Sequence, residues 1–311
     1  MTSLVFINNR YDIDKQKEVF LMIKEMINGF FMALADSVPG VSGGTVAFIL
    51  GFYDQFIGSI HHLAFGNLQK KKEALLYLMK LGLGWIIGMI LAVIILSSLF
   101  ESKIYVISSL FIGFIIGAIP LIIKEEKVSL KKQTLQKIIA CLFGILIVVL
   151  ITYFNGKIHK TSINLNHFSI TLGIQLFFIG MVAISAMFLP GISGSTILLI
   201  FGAYIPVINA IKSVLSFNLG VLPCLIIFGF GILFGALSVV KVIQLCLEKY
   251  REQTIYFILG MMIGSLYAIV MGPTTLQVPQ VALSFQTFHI IAFIVGIGLV
   301  LGLQFIKERR N

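Results

Sequence analysis

This chain has little charge. Asp, Glu, Lys and Arg make up 12% of its 311 residues, against about 25% in a typical soluble domain. With 58% hydrophobic residues and a mean hydropathy of +1.03, the scarcity excludes an ordinary soluble protein and predicts an all-α polytopic membrane protein. No long hydrophilic stretch occurs, so a single integral domain without a soluble appendage is expected. Cysteine is scarcer still. Cys141, Cys224 and Cys246 lie in apolar segments at unrelated spacings, which excludes a disulfide framework and gives no metal or redox site. In residues 1–17, Arg10, Asp12, Asp14 and Lys15 come too early for the apolar core of a signal peptide, so the first segment is expected to be retained. The apolar spans contain no arginine, and there is no Walker A, no HExxH and no clear Ser/His/Asp set. Membrane phosphatase chemistry would be expected to need intramembrane Arg and His, so the chain does not read as an enzyme. The net charge of +10 reflects the rule that places Lys and Arg on cytoplasmic loops, and is no sign of a nucleic-acid partner.

What the chain does have, it has twice. The run Pro39-Gly40-Val41-Ser42-Gly43-Gly44-Thr45, closing on Gly51-Phe52-Tyr53, returns as Pro190-Gly191-Ile192-Ser193-Gly194-Ser195-Thr196, closing on Gly202-Ala203-Tyr204. At a constant offset of 151, Pro, Gly, Ser, Gly, Thr, Ile, Gly and Tyr are identical. The breaks at Pro39-Gly40 and Pro190-Gly191 cannot continue a helix through lipid, so the freed backbone groups need protein, water or a ligand. Paired breaks at corresponding positions are the mark of a transporter built from repeats.

The repetition extends further. At an offset of 147, Gly82, Gly84, Gly88, Glu101, Gly113 and Gly117 match Gly229, Gly231, Gly235, Glu248, Gly260 and Gly264. Most of these glycines form small-xxx-small pairs, which serve close helix packing. We therefore predict repeat one over 18–155 with its tip at 36–45, an external linker at 156–170, and repeat two over 171–311 with its tip at 187–196. Predicted spans are Leu75–Leu99, Ile104–Ile123 and Leu135–Phe154, then Leu219–Leu247, Thr254–Met271 and Phe285–Ile306. Shorter segments flank each motif: Glu25–Ala35 with Thr45–Ile60, and Ile174–Leu189 with Thr196–Ile211. They read as re-entrant helical hairpins; ten full crossings are the alternative. Placing the N-terminal extension 1–17 in the cytoplasm puts Lys70 to Lys72, Lys124 to Lys137, Lys249, Arg251 and Lys307 to Arg310 on the same side. Three spans per repeat is an odd number, so the second repeat is expected to be inverted relative to the first, with both termini cytoplasmic.

Ser42, Gly43, Gly44 and Thr45, with Ser193, Gly194, Ser195 and Thr196, stand where helix N-caps belong, each before an apolar run. Two such tips meeting near the midplane offer hydroxyls and unpaired N–H groups to a phosphate or carboxylate. The plainer reading is that the hydroxyls only cap their own helices. Asp36, three residues before Pro39, has Met187 as its counterpart. An intramembrane carboxylate is a functional candidate, and beside a bound anion it must be protonated or hold a cation. Asp36 is thus the candidate for proton or sodium coupling, or else a carboxylate that bonds nearby hydroxyls such as Ser37. Tyr53 and Tyr204 read as interface anchors, His61 and His62 as interfacial, and Lys80 and Lys241 as snorkelling side chains.

The stretch Ala35-Asp36-Ser37-Val38-Pro39-Gly40-Val41-Ser42-Gly43-Gly44-Thr45, with Gly51-Phe52-Tyr53 and the second copy from Leu189 to Thr196, resembles the bacterial polyprenyl-phosphate transporters over nearly the whole chain. The resemblance implies a translocase of the bacterial cytoplasmic membrane. It would return undecaprenyl phosphate from the outer to the inner leaflet for reuse in cell-wall synthesis, without a cofactor. Composition and spacing alone give only an anion transporter with repeats. A small inorganic anion transporter or channel, or a lipid-phosphate enzyme, remains the alternative, and homo-oligomerisation is left open.

Overall fold

The computed structural model describes residues 22–37, 41–92, 97–126, 135–157, 163–165, 169–275 and 279–308. The N-terminal extension 1–17 and the break residues Pro39 and Gly40 lie outside them. The described residues are mostly helical and include no strand. In chain order the helices are α1 (22–36), α2 (Gly43–Ile49), α3 (Tyr53–Phe65), α4 (Leu68–Leu91), α5 (Ser97–Glu125) and α6 (Leu135–Lys157). They continue with α7 (Ile170–Phe188), α8 (Gly194–Ile200), α9 (Tyr204–Leu215), α10 (Leu222–Lys249), α11 (Arg251–Met271) and α12 (Ile290–Glu308).

Among the described residues, six helices are long and apolar enough to cross a membrane: α4, Lys103–Lys124 of α5, Leu135–Asn155 of α6, α7, Leu219–Lys249 with α10, and Arg251–Thr275 with α11. Four of these match predicted spans closely. The other two differ, as does the last predicted span. The predicted span Leu75–Leu99 runs instead over Leu68–Leu91, with Ser97 to Leu99 already in α5; it starts at Leu68 because Asn67 caps the helix by accepting from Lys70 N–H at 2.9 Å. The predicted hairpin leg Ile174–Leu189 belongs to a 19-residue helix that is itself of crossing length. The predicted span Phe285–Ile306 begins only at Ile290, and its apolar stretch is the shorter Ile290–Gly302.

Each leg that follows a motif was expected as one helix and is two. In the first copy Gly51 takes φ +73°. Its N–H donates to Phe48 O at 3.1 Å and Phe52 N–H to Ala47 O at 3.0 Å. In the second copy Gly202 takes φ +64°, with Gly202 N–H on Leu199 O at 3.0 Å and Ala203 N–H on Leu198 O at 2.8 Å. This paired bonding is the Schellman closure, which satisfies the last carbonyls of a helix and needs a residue in the left-handed region. The repeated Gly-x-Tyr is therefore a helix stop followed at once by a helix start, and α9 leaves α8 at 104°.

Glycine seams hold the long helices together. A Cβ on Gly84 of α4 would overlap the carbonyl oxygen of Met26 on α1, and one on Gly231 of α10 would overlap that of Phe177 on α7. Gly113 of α5 meets Phe293 of α12 in the same way, and Gly260 of α11 meets Cys141 of α6. Corresponding glycines in the two copies thus face corresponding helices. The last helix of each copy packs against the middle span of the other. Where lipid tails are as apolar as leucine, this close backbone approach supplies the packing that hydrophobicity cannot. The principal buried cluster lies beneath the first motif, where Phe48, Phe52, Tyr53 and Ile57 meet Ile243, Leu247, Ile255, Ile258 and Met262.

Candidate functional site

Ser42 begins α2 in the extended region, with its Oγ accepting from Thr45 N–H at 3.2 Å. Ser42 Oγ and Thr45 Oγ1 are 3.0 Å apart. Both hydroxyls face the second motif. Gly191 N–H donates to Thr45 Oγ1 at 2.7 Å and to Ser42 Oγ at 3.2 Å. The two tips are therefore in direct contact, and Ser42 and Thr45 are 0% and 1% exposed. Gly44 lies against the carbonyls of Met187 and Phe188. Gly191 itself takes φ +86°, and a side chain there would press on the Met261 carbonyl oxygen at 2.5 Å. Glycine meets both demands at once.

Asp36 closes the first tip from the other side. Its Oδ1 accepts from Gly43 N–H at 2.6 Å, and its Oδ2 accepts from Trp85 Nε1–H at 3.0 Å. Both oxygens are engaged as acceptors by donors on two different elements. The carboxylate so occupies the position at the start of α2 where an external anion would otherwise sit.

The second tip is arranged differently. Ser193 begins α8 without a side-chain cap bond, and its Oγ lies 2.7 Å from Ser195 Oγ. Ser193, Gly194, Ser195 and Thr196 all line a cavity of about 690 Å³. Asp36, Ser37 and Trp85 form another part of its wall, Thr152 and Asn155 of α6 a third, and Tyr204 of α9 a fourth. Thr275 adds one more hydroxyl, and the remaining side chains are apolar, including Ile151, Ile208, Ile211 and Phe228. Asp36 is the one charged side chain among the described residues that line it. An anion there would be held by hydroxyls and backbone N–H groups rather than by a cation. Among the described residues no cluster of His, Cys, Asp and Glu is suited to a metal.

Of the residues singled out from sequence, the structure brings the second tip and Asp36 to one cavity, while Ser42, Gly43, Gly44 and Thr45 stand behind it. Tyr53 is not an interface anchor: it is buried, and its hydroxyl donates to Phe188 O at 2.9 Å, tying α3 to the end of α7. Tyr204 is exposed and also lines the cavity. Lys80 does not snorkel from a helix end; it pairs with Glu25 of α1 at 3.2 Å. Trp85, Thr152 and Asn155 were not anticipated. Trp85 carried a usable signal, being the single tryptophan of the chain and set within a predicted span.

A family model described as undecaprenyl phosphate translocase-like matches residues 32–288, which include both motifs and every residue found lining the cavity. The chain belongs to this family. A polyprenyl-phosphate transporter of Staphylococcus aureus (strain NCTC 8325 / PS 47) is 38% identical over 284 residues, covering 88% of this chain and 94% of the relative. One of Vibrio cholerae serotype O1 (strain ATCC 39315 / El Tor Inaba N16961) is 30% identical over 316 residues, covering 91% and 96%. No solved structure matches the chain. Membership in this translocase-like family makes the chain a multi-pass membrane transporter and not an enzyme.

Proposed function

We propose that this protein carries a polyprenyl phosphate, undecaprenyl phosphate in particular, across the bacterial cytoplasmic membrane from the outer to the inner leaflet, returning the lipid carrier for cell-wall synthesis. The observation that carries the reading is the cavity in which the hydroxyl-bearing second tip faces Asp36 and Trp85, in a chain whose relatives are named polyprenyl-phosphate transporters. The phosphate sits against Ser193, Gly194, Ser195 and Thr196. The isoprenoid tail follows the apolar wall of Ile151, Ile208 and Ile211 toward lipid. Ser42 and Thr45 support the second tip through Gly191 N–H, and join the phosphate shell only when the tips part.

In this reading the repeats 18–155 and 171–311 run in opposite senses through the bilayer, their tips are re-entrant, and both termini are cytoplasmic, in keeping with the distribution of Lys and Arg. Asp36 is the coupling group, exchanging a proton or sodium ion as the phosphate comes and goes. The decisive experiment is flipping of undecaprenyl phosphate by the purified protein in liposomes, with and without pH and sodium gradients. Protein-dependent flipping is expected, and faster flipping under one of the two gradients. Transport of inorganic phosphate with no lipid flipping would favour the small-anion alternative, and a chemically altered lipid would favour an enzyme.

A further inference from the structure

The guanidinium of Arg251, at the start of α11, makes three hydrogen bonds to carboxylates of two other elements. Nη1 donates to Asp54 Oδ2 at 2.8 Å, Nη2 to Glu126 Oε1 at 3.0 Å and Nε to Glu126 Oε2 at 3.1 Å. Asp54 opens α3, and Glu126 follows the last turn of α5. The neighbouring Glu252 pairs with Lys137 in the first turn of α6. One end of the bundle is thus cross-tied by charge, through α3, α5, α6 and α11.

The cavity lies at the other end of two of these helices, α6 and α11. α6 contributes Thr152 and Asn155 to it, and α11 contributes Ala268 with Gly272 and Thr275 just beyond. The 21 residues of α11 separate the two ends by roughly 30 Å. Between them Ile255, Ile258, Leu259 and Met262 are buried in the principal core. The repeat positions make the asymmetry sharper. At the offsets that relate the two copies, Arg251, Asp54 and Glu126 correspond to Ile104, Ile205 and Pro273. The end with the cavity therefore has no counterpart of this cluster.

We infer that Arg251, Asp54 and Glu126 form the gate that keeps the far end of the transport path shut while the cavity is open at the near end. A carrier must expose its cavity to each side in turn, so the ties across α3, α5 and α11 break once per cycle. Their exposure suits that task. Arg251 and Asp54 side chains are 47% and 49% exposed, so water takes over the freed charges, and the cluster holds the gate without locking it. The two parallel bonds from Arg251 to Glu126 fix the geometry of closure in a way that a lysine could not.

The inference rests on the cavity being the substrate path, and the test separates the two. In a variant lacking Cys141, Cys224 and Cys246, Ser37→Cys places a reporter in the cavity wall. Membrane vesicles of both orientations are then treated with an impermeant maleimide. With Arg251 intact, labelling is expected from the face bearing Asn155. In Arg251→Gln, labelling from the face bearing Asp54 should rise by about threefold or more, and in Arg251→Glu it should rise further. Combining Arg251→Glu with Asp54→Arg and Glu126→Arg should restore the parent pattern. An unchanged pattern in a monodisperse Arg251→Gln protein overturns the gate, as does a charge-swapped triple no better than Arg251→Glu. Protection of the reporter by added polyprenyl phosphate is read separately: its absence, with the Arg251 effect intact, removes the head-group assignment and leaves the gate.

Discussion

Asp36 takes two donors on its two oxygens. Gly43 N–H and Trp85 Nε1–H converge on it, and an asparagine presents only one oxygen. Asp36→Asn therefore leaves one donor facing an amide NH2, at a cost of about 1–3 kcal/mol for a buried unsatisfied group. The expected outcome is a lower unfolding temperature and altered Trp85 fluorescence, which reports on this site alone because the chain has one tryptophan. Flipping should persist and lose its acceleration by the coupling gradient. Full gradient-driven flipping in Asp36→Asn would make the carboxylate structural. The tip hydroxyls divide in a similar way. Ser193→Ala and Thr196→Ala each remove a donor from the cavity wall, and a hydrogen bond to a charged group is worth about 1.5–3 kcal/mol. Affinity for the lipid phosphate should fall roughly tenfold or more in each, by titration of purified protein. Ser42→Ala and Thr45→Ala remove acceptors from Gly191 N–H, so their first effect should be on thermal stability. Equal losses of affinity in all four variants, with stability unchanged, would place the first tip in the resting site as well.

At the scale of helices, the doubled Gly-x-Tyr and the glycine seams matter most. Gly51 and Gly202 sit at φ +73° and +64°, where a Cβ costs about 1–2 kcal/mol. Gly51→Ala and Gly202→Ala should each lower stability by that amount, measurable as a reduced midpoint of thermal aggregation in detergent. A larger loss is expected from Gly84→Val or Gly231→Val. In these positions the added atoms meet backbone carbonyls of α1 and α7, which cannot turn aside as a flexible side chain would. Overpacking of this kind costs about 1–3 kcal/mol or more, and the variants should express poorly or lose flipping. By contrast, Gly229→Ala, with open space around the new methyl, should be neutral. Neutral behaviour of Gly84→Val would mean that α1 and α4 do not pack as closely as described.

Across the whole molecule, the paired tips predict how each is reached from water. If the tips are re-entrant, cysteines at Gly43 and Gly194 should react with impermeant thiol reagents from opposite faces, the one at Gly194 faster because it lines the cavity and the one at Gly43 slowly because it lies behind Asp36. Complete labelling of both from one face would favour ten full crossings. Much of this architecture was readable in advance. A chain with so little charge must satisfy its backbone within helices, and lipid fixes their length, so the spans from Ile104, Leu135, Leu219 and Thr254 could be placed to within a few residues. The doubled motif could be aligned without a gap, and its glycines carry their reason in the backbone itself. Two kinds of feature could not be read. The first was local but ambiguous: Gly51 and Gly202 fit equally well as packing positions inside one leg or as the stops that end α2 and α8. The second was distant. Two nearly identical motifs give no sign of which tip faces the cavity. That depends on Asp36 meeting Gly43 and Trp85, on Gly191 meeting Thr45, and on Tyr53 reaching Phe188 across 135 positions. The sequence by itself determined membrane class, helix spacing and the repeated breaks, because hydropathy and backbone stereochemistry act over a few residues. Only the tertiary structure decided that one tip is closed and the other open, because each donor's choice of acceptor depends on neighbours that the fold alone brings within 3 Å.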